Sequence, residues 1–196
     1  MTWESLTFDR TLAAALVCWW LLMLVWLILA FSIKRGKQQE TNFERLLHMV
    51  PVAVGFWLLF ANKPPVPWLN LSRLPQEPNV WLAGLLLTML GVGISIWARL
   101  SLGTNWSSSV TLKSGHELIR RGLYRWIRHP IYTGILLAMV GTALIRGNLR
   151  ALLGVLVVLA SFYFKARREE RFLKQEFGAG FDEHARQTGM FLPRFS

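Results

Sequence analysis

Leu12–Ile33 reads LAAALVCWWLLMLVWLILAFSI, an unbroken run without a charge, and it stops at Lys34-Arg35. At about 1.5 Å per residue such a run crosses a hydrocarbon core of roughly 30 Å. It is longer than the apolar stretch of a cleaved signal peptide. No basic segment precedes it and no small-residue cleavage site follows, so a retained membrane-spanning helix is expected.

Working outward, four more apolar segments can be drawn, at roughly 46–61, 80–100, 131–146 and 149–165. The second contains Pro51, which membrane helices tolerate when neighbours satisfy the freed carbonyl. The fourth and fifth are short for a span and are separated only by Gly147 and Asn148, the pattern of a tight helical hairpin. Gly91-Val92-Gly93 lies inside a span with no strand before it. It reads as small residues for helix packing rather than as a dinucleotide fingerprint. The proline-rich stretch 63–79 reads as an outer loop, with Trp68 at the interface.

The expected fold class is all-α: an integral membrane bundle of about five transmembrane helices, completed by a loop and a C-terminal amphipathic helix. A single membrane domain fills 1–196, with three N-terminal helices in 1–100 and the functional core in 101–196. No repeat or low-complexity tract interrupts it.

The net charge of +11 would suggest nucleic acid on a soluble chain. Here it follows membrane topology, and no nucleic-acid partner is expected. Lys34, Arg35, Lys37 and Arg45 lie between the first and second segments. Lys113, Arg120, Arg121, Arg125 and Arg128 lie between the third and fourth, and seven more Lys and Arg residues follow the fifth. Five spans put all of these on one side, with the N-terminus outside and the C-terminus in the cytoplasm. Cys18, the only cysteine, lies within the first segment, which excludes an internal disulfide and a thiolate cluster. No H-E-x-x-H arrangement occurs, and no metal site is expected. Neither is a Ser-His-Asp triad, because G-x-S-x-G is absent.

The third loop is more than a linker. Ser114-Gly115-His116-Glu117 has the form of a capping box, predicting a short helix from about 115 that Gly122 ends. Tyr124, Trp126, Arg128, His129 and Pro130 then lead into Ile131-Tyr132-Thr133-Gly134. A residue before proline is biased out of the helical region, so His129 is expected at a break, with Pro130 in the first turn of the fourth segment. Backbone donors at that helix start would suit an anion. The second cluster is Phe162-Tyr163-Phe164-Lys165-Ala166-Arg167-Arg168-Glu169-Glu170. If the helix continues, Lys165 and Glu169 share a face, and Phe172, Leu173 and Phe177 form an apolar stripe that Gly178 terminates.

At these two clusters the sequence resembles the integral membrane isoprenylcysteine carboxyl methyltransferases and their prokaryotic relatives. The resemblance runs over roughly residues 99–194. It includes Leu102-Gly103-Thr104-Asn105-Trp106-Ser107, Gly115–Ile119, Gly122–Gly134, Glu169-Glu170 and Glu176-Phe177-Gly178. It implies S-adenosylmethionine as methyl donor, bound in a cytoplasm-facing pocket of a prokaryotic inner membrane protein. The implied cofactor contacts are His116, Glu117, Leu118, Ile119, Tyr124, His129, Pro130, Ile131, Tyr132 and Glu169.

The resemblance also implies an acceptor-side arginine four residues before that glutamate. Lys165 stands there instead, keeping the charge but not the planar fork that suits a carboxylate. Lys165 and Arg168 are the catalytic candidates. The implied partners are membrane lipids and a small or lipophilic acceptor entering from the bilayer, of isoprenylcysteine carboxylate type. Phospholipid N-methyltransferases share the R-H-P-x-Y-x-G and Glu-Glu pattern and are the first alternative. A sterol-reductase-like NADPH protein and a non-catalytic membrane protein are more distant.

Overall fold

The computed structural model describes residues 3–30, 37–38, 42–61, 67–72, 74–103, 111–112 and 118–194. Its elements are α1 (Trp3–Ala30), β1 (Lys37–Gln38), α2 (Asn42–Phe60), α3 (Pro78–Leu102), β2 (Thr111–Leu112), α4 (Pro130–Arg146), α5 (Leu149–Phe177) and α6 (Ala179–Gln187). The fold is the expected all-α bundle, apart from one two-residue antiparallel ladder that joins Lys37 to Leu112 and Gln38 to Thr111. That ladder ties the loop after α1 to the loop after α3.

Among the described residues, four stretches, Thr7–Ala30, Phe43–Phe60, Pro78–Leu102 and Leu149–Phe177, are long and apolar enough to cross a membrane. Their outward faces are apolar: Trp20 is 73% exposed, as are large parts of Leu24, Leu27, Leu86 and Leu90. A bilayer makes such a surface favourable where water would not. The fourth segment is shorter. α4 has 17 residues, about 25 Å of helix by its rise, and is enclosed by the other long helices. The fifth segment is longer than its hydropathy suggests. α5 runs without a break to Phe177, because the Lys, Arg and Glu residues after Phe164 are themselves good helix formers. α2 likewise begins at Asn42, four residues before the apolar run.

The long helices alternate in direction. At one end Arg146 Nη2 donates to the Phe60 carbonyl (2.9 Å), at the C-terminus of α2. The α4–α5 turn meets the stretch before α3 there, with Leu149 N–H donating to Leu71 O at 3.2 Å. The turn consists of Gly147, in the left-handed region at φ +65°, and Asn148, whose side chain accepts from Ala151 N–H at 2.9 Å. At the other end the buried Arg99 donates to Leu29 O (3.1 Å) and Gly103 O (3.0 Å), joining the ends of α1 and α3.

α3 and α4 touch backbone to backbone. A Cβ on Gly91 would lie 2.4 Å from Ala138 N and 2.5 Å from Gly134 O, and one on Gly141 would lie 2.4 Å from Gly84 O. Close approach through small residues is the usual way helices associate in lipid. Buried hydroxyls supplement it: Thr88 and Thr142 meet at 3.3 Å, and Trp19 Nε1 donates to Thr142 Oγ1 at 3.0 Å. Of the expected packing pair, only Gly91 packs. Gly93 is exposed, with nothing within 4 Å of its ideal Cβ.

These two glycines are therefore expected to respond oppositely. Gly91→Ala should destabilise by about 1–3 kcal/mol, since backbone must move to admit the methyl. Gly93→Ala should be neutral or stabilise by up to about 1 kcal/mol through helix propensity. Unfolding midpoints of both variants in detergent test this, and equal midpoints would contradict the α3–α4 contact.

Candidate functional site

The site is built where α4 begins. Pro130 occupies the first helical position, and His129 before it holds φ −124° and ψ 59°, outside the helical region, as the proline demands. His129 is 7% exposed. Its ring lies parallel to that of Tyr132 (centroids 5.5 Å apart, 8° between planes), and Phe191 approaches edge-on at 6.1 Å. Tyr132 in turn stacks on Phe162 of α5 at 4.5 Å.

The charged extension of α5 meets this ring stack. His129 Nδ1 is 3.3 Å from Glu169 Oε2, and His129 Nε2 is 3.4 Å from Glu170 Oε1. Tyr132 Oη donates to Glu169 Oε1 at 2.7 Å, and Arg128 Nε donates to Glu170 Oε1 at 2.6 Å. A carboxylate beside each nitrogen favours the imidazolium, with the Nε2–Glu170 contact an ion pair rather than a hydrogen bond. Burial opposes that charge. The hydrogen bonds and negative charges of Glu169 and Glu170 outweigh it, and hold His129 above the ordinary histidine range. Tyr124, in the 3₁₀ turn Gly122–Arg125, is buried nearby. Burial first, then the Glu169 charge, push its phenol up, so it stays a neutral hydroxyl.

A third element closes the cluster, and nothing in the sequence pattern announced it. The segment after α6 runs alongside 126–129: Arg128 N–H donates to Gly189 O (2.9 Å), His129 N–H to Met190 O (3.1 Å) and Gly189 N–H to Trp126 O (3.0 Å). Thr133 Oγ1 donates to Phe191 O at 2.7 Å. Arg128 Nη1 donates to Thr188 O and to Ala185 O (3.2 Å). The backbone N–H groups of residues 128 and 129, just before the helix, are thus taken up by tail carbonyls.

Of the sequence-predicted residues, Tyr124, His129, Pro130, Ile131, Tyr132 and Glu169 come together here. Ile131 and Tyr124 share a buried group with Ala98, against which Ile119 packs, and Leu118 is half-buried. His116, Glu117 and the proposed capping box lie outside the described residues. Gly122 does not end a helix. Leu118–Arg121 is not helical, and Gly122, at φ +61°, instead opens the 3₁₀ turn.

Lys165 is directed to the Tyr132 face, with Nζ 6.0 Å from the ring centroid. Arg168 faces α2 instead, 3.9 Å from Glu44. Sequence reasoning omitted Arg128, Glu170 and Phe162 from the site although all three lie in the motifs it singled out. It omitted Phe191 for want of any local signal.

The phospholipid methyltransferase family profile matches residues 80–180. A protein of Oryza sativa subsp. indica named as a probable protein-S-isoprenylcysteine O-methyltransferase is 31% identical over 125 residues, which cover 61% of this chain and 65% of that one. The protein-S-isoprenylcysteine O-methyltransferase of Tribolium castaneum is 33% identical over 176 residues, covering 84% of this chain and 59% of that one. Among solved structures, the eukaryotic intramembrane Ras methyltransferase (isoprenylcysteine carboxyl methyltransferase) superposes with a TM-score of 0.50 at 26% identity. That match covers 80% of this chain and 56% of the other. The chain thus spans less than two thirds of the length of these relatives. With this likeness, the apolar helices identify an integral membrane protein.

The charge state of the cluster sets a pH dependence. A folded-state His129 pKa above the ordinary value of about 6.5 contributes stability that is complete below that value and disappears as pH rises through the folded one. The unfolding midpoint of the protein minus that of His129→Gln should therefore shrink from about pH 6 to about pH 9. A difference that grew over that range would contradict the imidazolium. Arg128, His129, Tyr132, Glu169 and Glu170 all lie within the 80–180 match, and the chain belongs to the phospholipid methyltransferase family.

Proposed function

We propose that this protein is an integral membrane methyltransferase that uses S-adenosylmethionine and acts on an acceptor with a lipophilic body. One observation carries the reading. Glu169 is held by Tyr132 and His129 at the rim of the bundle, against the stacked faces of Tyr132 and Phe162. That set of groups fits a sulfonium donor. Aromatic faces attract a positive centre, and a carboxylate accepts from hydroxyl or ammonium groups. When bound, S-adenosylmethionine supplies an electrophilic methyl group for in-line displacement.

The chain's own residues orient and desolvate. Tyr132 and His129 fix the Glu169 carboxylate, Arg128 and Glu170 fix His129, and Phe191 covers the ring edge. Holding two reactants in line and excluding water can supply much of the catalysis of such a transfer. His116, Glu117, Leu118, Ile119, Tyr124, Pro130 and Ile131 complete the proposed donor site, with Lys165 and Arg168 on the acceptor side. The basic residues Lys37, Arg45, Arg125 and Arg128 stand at the same end of the bundle as this cluster. By the positive-inside rule that end faces the cytoplasm and the N-terminus lies outside, as in a prokaryotic inner membrane protein.

Two acceptor chemistries follow from the relatives. The names of the Oryza and Tribolium proteins point to an isoprenylcysteine carboxylate. The family description points to a phospholipid, and favours an amine-methylating second reading.

Calorimetric titration of the detergent-purified protein with S-adenosylmethionine and, separately, NADPH tests the proposal. Micromolar binding of the first is expected, weakened at least about tenfold, or about 1.4 kcal/mol, in Glu169→Ala and in His129→Ala. Binding of NADPH alone would overturn it. Lys165→Ala should lower turnover and leave donor affinity within about twofold, a shift under about 0.5 kcal/mol.

A further inference from the structure

The opposite end of the bundle carries a charge that methyl transfer does not use. Arg146 ends α4 and Arg150 lies in the first turn of α5, on either side of the Gly147-Asn148 turn. By helix rise this end stands roughly 24 Å from Pro130. Arg150 is 1% exposed. Among the described residues, its Nε and Nη1 are buried without a hydrogen-bond partner. A guanidinium does not lose its proton in a protein, so Arg150 cannot escape the cost of burial by becoming neutral.

The surroundings add positive charge instead of offsetting it. Arg146 Nη2 donates to the Phe60 carbonyl at 2.9 Å, a neutral acceptor, and the Arg146 charge is close enough to feel that of Arg150. Arg150 also stands at the positive end of the α5 dipole, where a carboxylate would be favourable, and the first turn of α5 contains none. The side-chain oxygens around the turn are engaged elsewhere. Asn148 Oδ1 accepts from Ala151 N–H at 2.9 Å, and Gln76 Oε1 accepts from Trp81 Nε1 at 3.3 Å.

Two guanidiniums and a helix start therefore converge, and their complement is an oxyanion with several acceptor oxygens. The fork of an arginine matches phosphate geometry in particular. The stretch before α3 lies across this end. The 3₁₀ turn Pro67–Asn70 packs against α5, and Leu71 O accepts from Leu149 N–H, the residue before Arg150. Trp68, Leu71 and Leu152 leave large apolar side chains exposed beside it, as suits a membrane interface.

We propose that the α4–α5 turn is an oxyanion site, in which Arg150 and Arg146 hold a phosphate group that enters beneath the Pro67–Asn70 turn. That phosphate is carried by a phospholipid headgroup of the adjoining leaflet or is the free ion, and both present the same oxygens. The site depends on the fold alone and stands whether or not the methyltransferase reading does.

The test is thermal unfolding of the full-length protein in a maltoside detergent at constant ionic strength. Three additions are compared: inorganic phosphate, a short-chain phosphatidylglycerol, and the matching diacylglycerol as uncharged control. Phosphate or phosphatidylglycerol should raise the unfolding midpoint by about 3 °C or more, and diacylglycerol should not. A rise with inorganic phosphate assigns the free ion, and a rise with phosphatidylglycerol alone assigns the headgroup. The rise should vanish in Arg150→Met and persist in Glu169→Ala. Without additions Arg150→Met should unfold at or above the midpoint of the unsubstituted protein, because it keeps the stem and removes a buried charge that has no partner. Hydrogen exchange on the unsubstituted protein should slow at 67–76 and 147–152 with the effective addition, and this alone decides if Arg150→Met does not fold.

No rise with either anion would overturn the proposal, as would an equal rise in Arg150→Met or its loss in Glu169→Ala. So would a folded Arg150→Met that unfolds several degrees lower without additions, or exchange protection confined to residues 118–134 and 162–177.

Discussion

Adjacent residues on a helix point about 100° apart, so Glu169 and Glu170 cannot both meet one conventional cation on the same face. His129 resolves this by using its two ring nitrogens, one for each carboxylate. That bridge fixes the start of α4 against the charged extension of α5, and the remaining contacts of the site depend on it. Tyr132 reaches Glu169 because the α4 start is held there, and Arg128 completes Glu170 because it directly precedes His129. Removing one member would strand buried charge, which costs more than the pair itself contributes.

The same bridge explains why the site sits at the membrane rim. Inside the hydrocarbon such a cluster would be expensive, whereas fully in water it would be screened and weak. At the end of a bundle, α4 and the ring stack lie on one side of the cluster while the tail segment covers the other. α3 and α4 pack closely beside this end, where a Cβ on Gly134 would lie 2.5 Å from Gly91 O and 2.7 Å from Ser95 N.

Much of this was legible in the sequence. The charge-free run at 12–33 and the alternation of basic loops disclosed a five-helix bundle. Pro130 disclosed the helix break at His129, since proline constrains its predecessor whatever the tertiary context. The spacing of Lys165 and Glu169 placed them on one face once the helix continued.

The rest was hidden for physical reasons. The apolar span of α5 ends near 165, and its continuation to Phe177, capped by Gly178, was marked only by the sparse stripe of Phe172, Leu173 and Phe177. A left-handed glycine can close a helix or open a turn, and Gly122 opens one. The segment 188–194 has no periodicity, and its binding to 126–129 is by main-chain hydrogen bonds that any sequence could make. His48 is a lone histidine in an apolar stretch whose partner is 117 residues away. Its contacts with Ser161 and Lys165 tie α2 to α5.

Ultraviolet cross-linking of radiolabelled S-adenosylmethionine to the purified protein, followed by peptide mapping, tests the central claim most directly. The account predicts label on peptides carrying Tyr132, Phe162–Glu169 or Phe191, suppressed by excess unlabelled donor. Label confined to residues 3–60, or label that unlabelled donor does not displace, would contradict it.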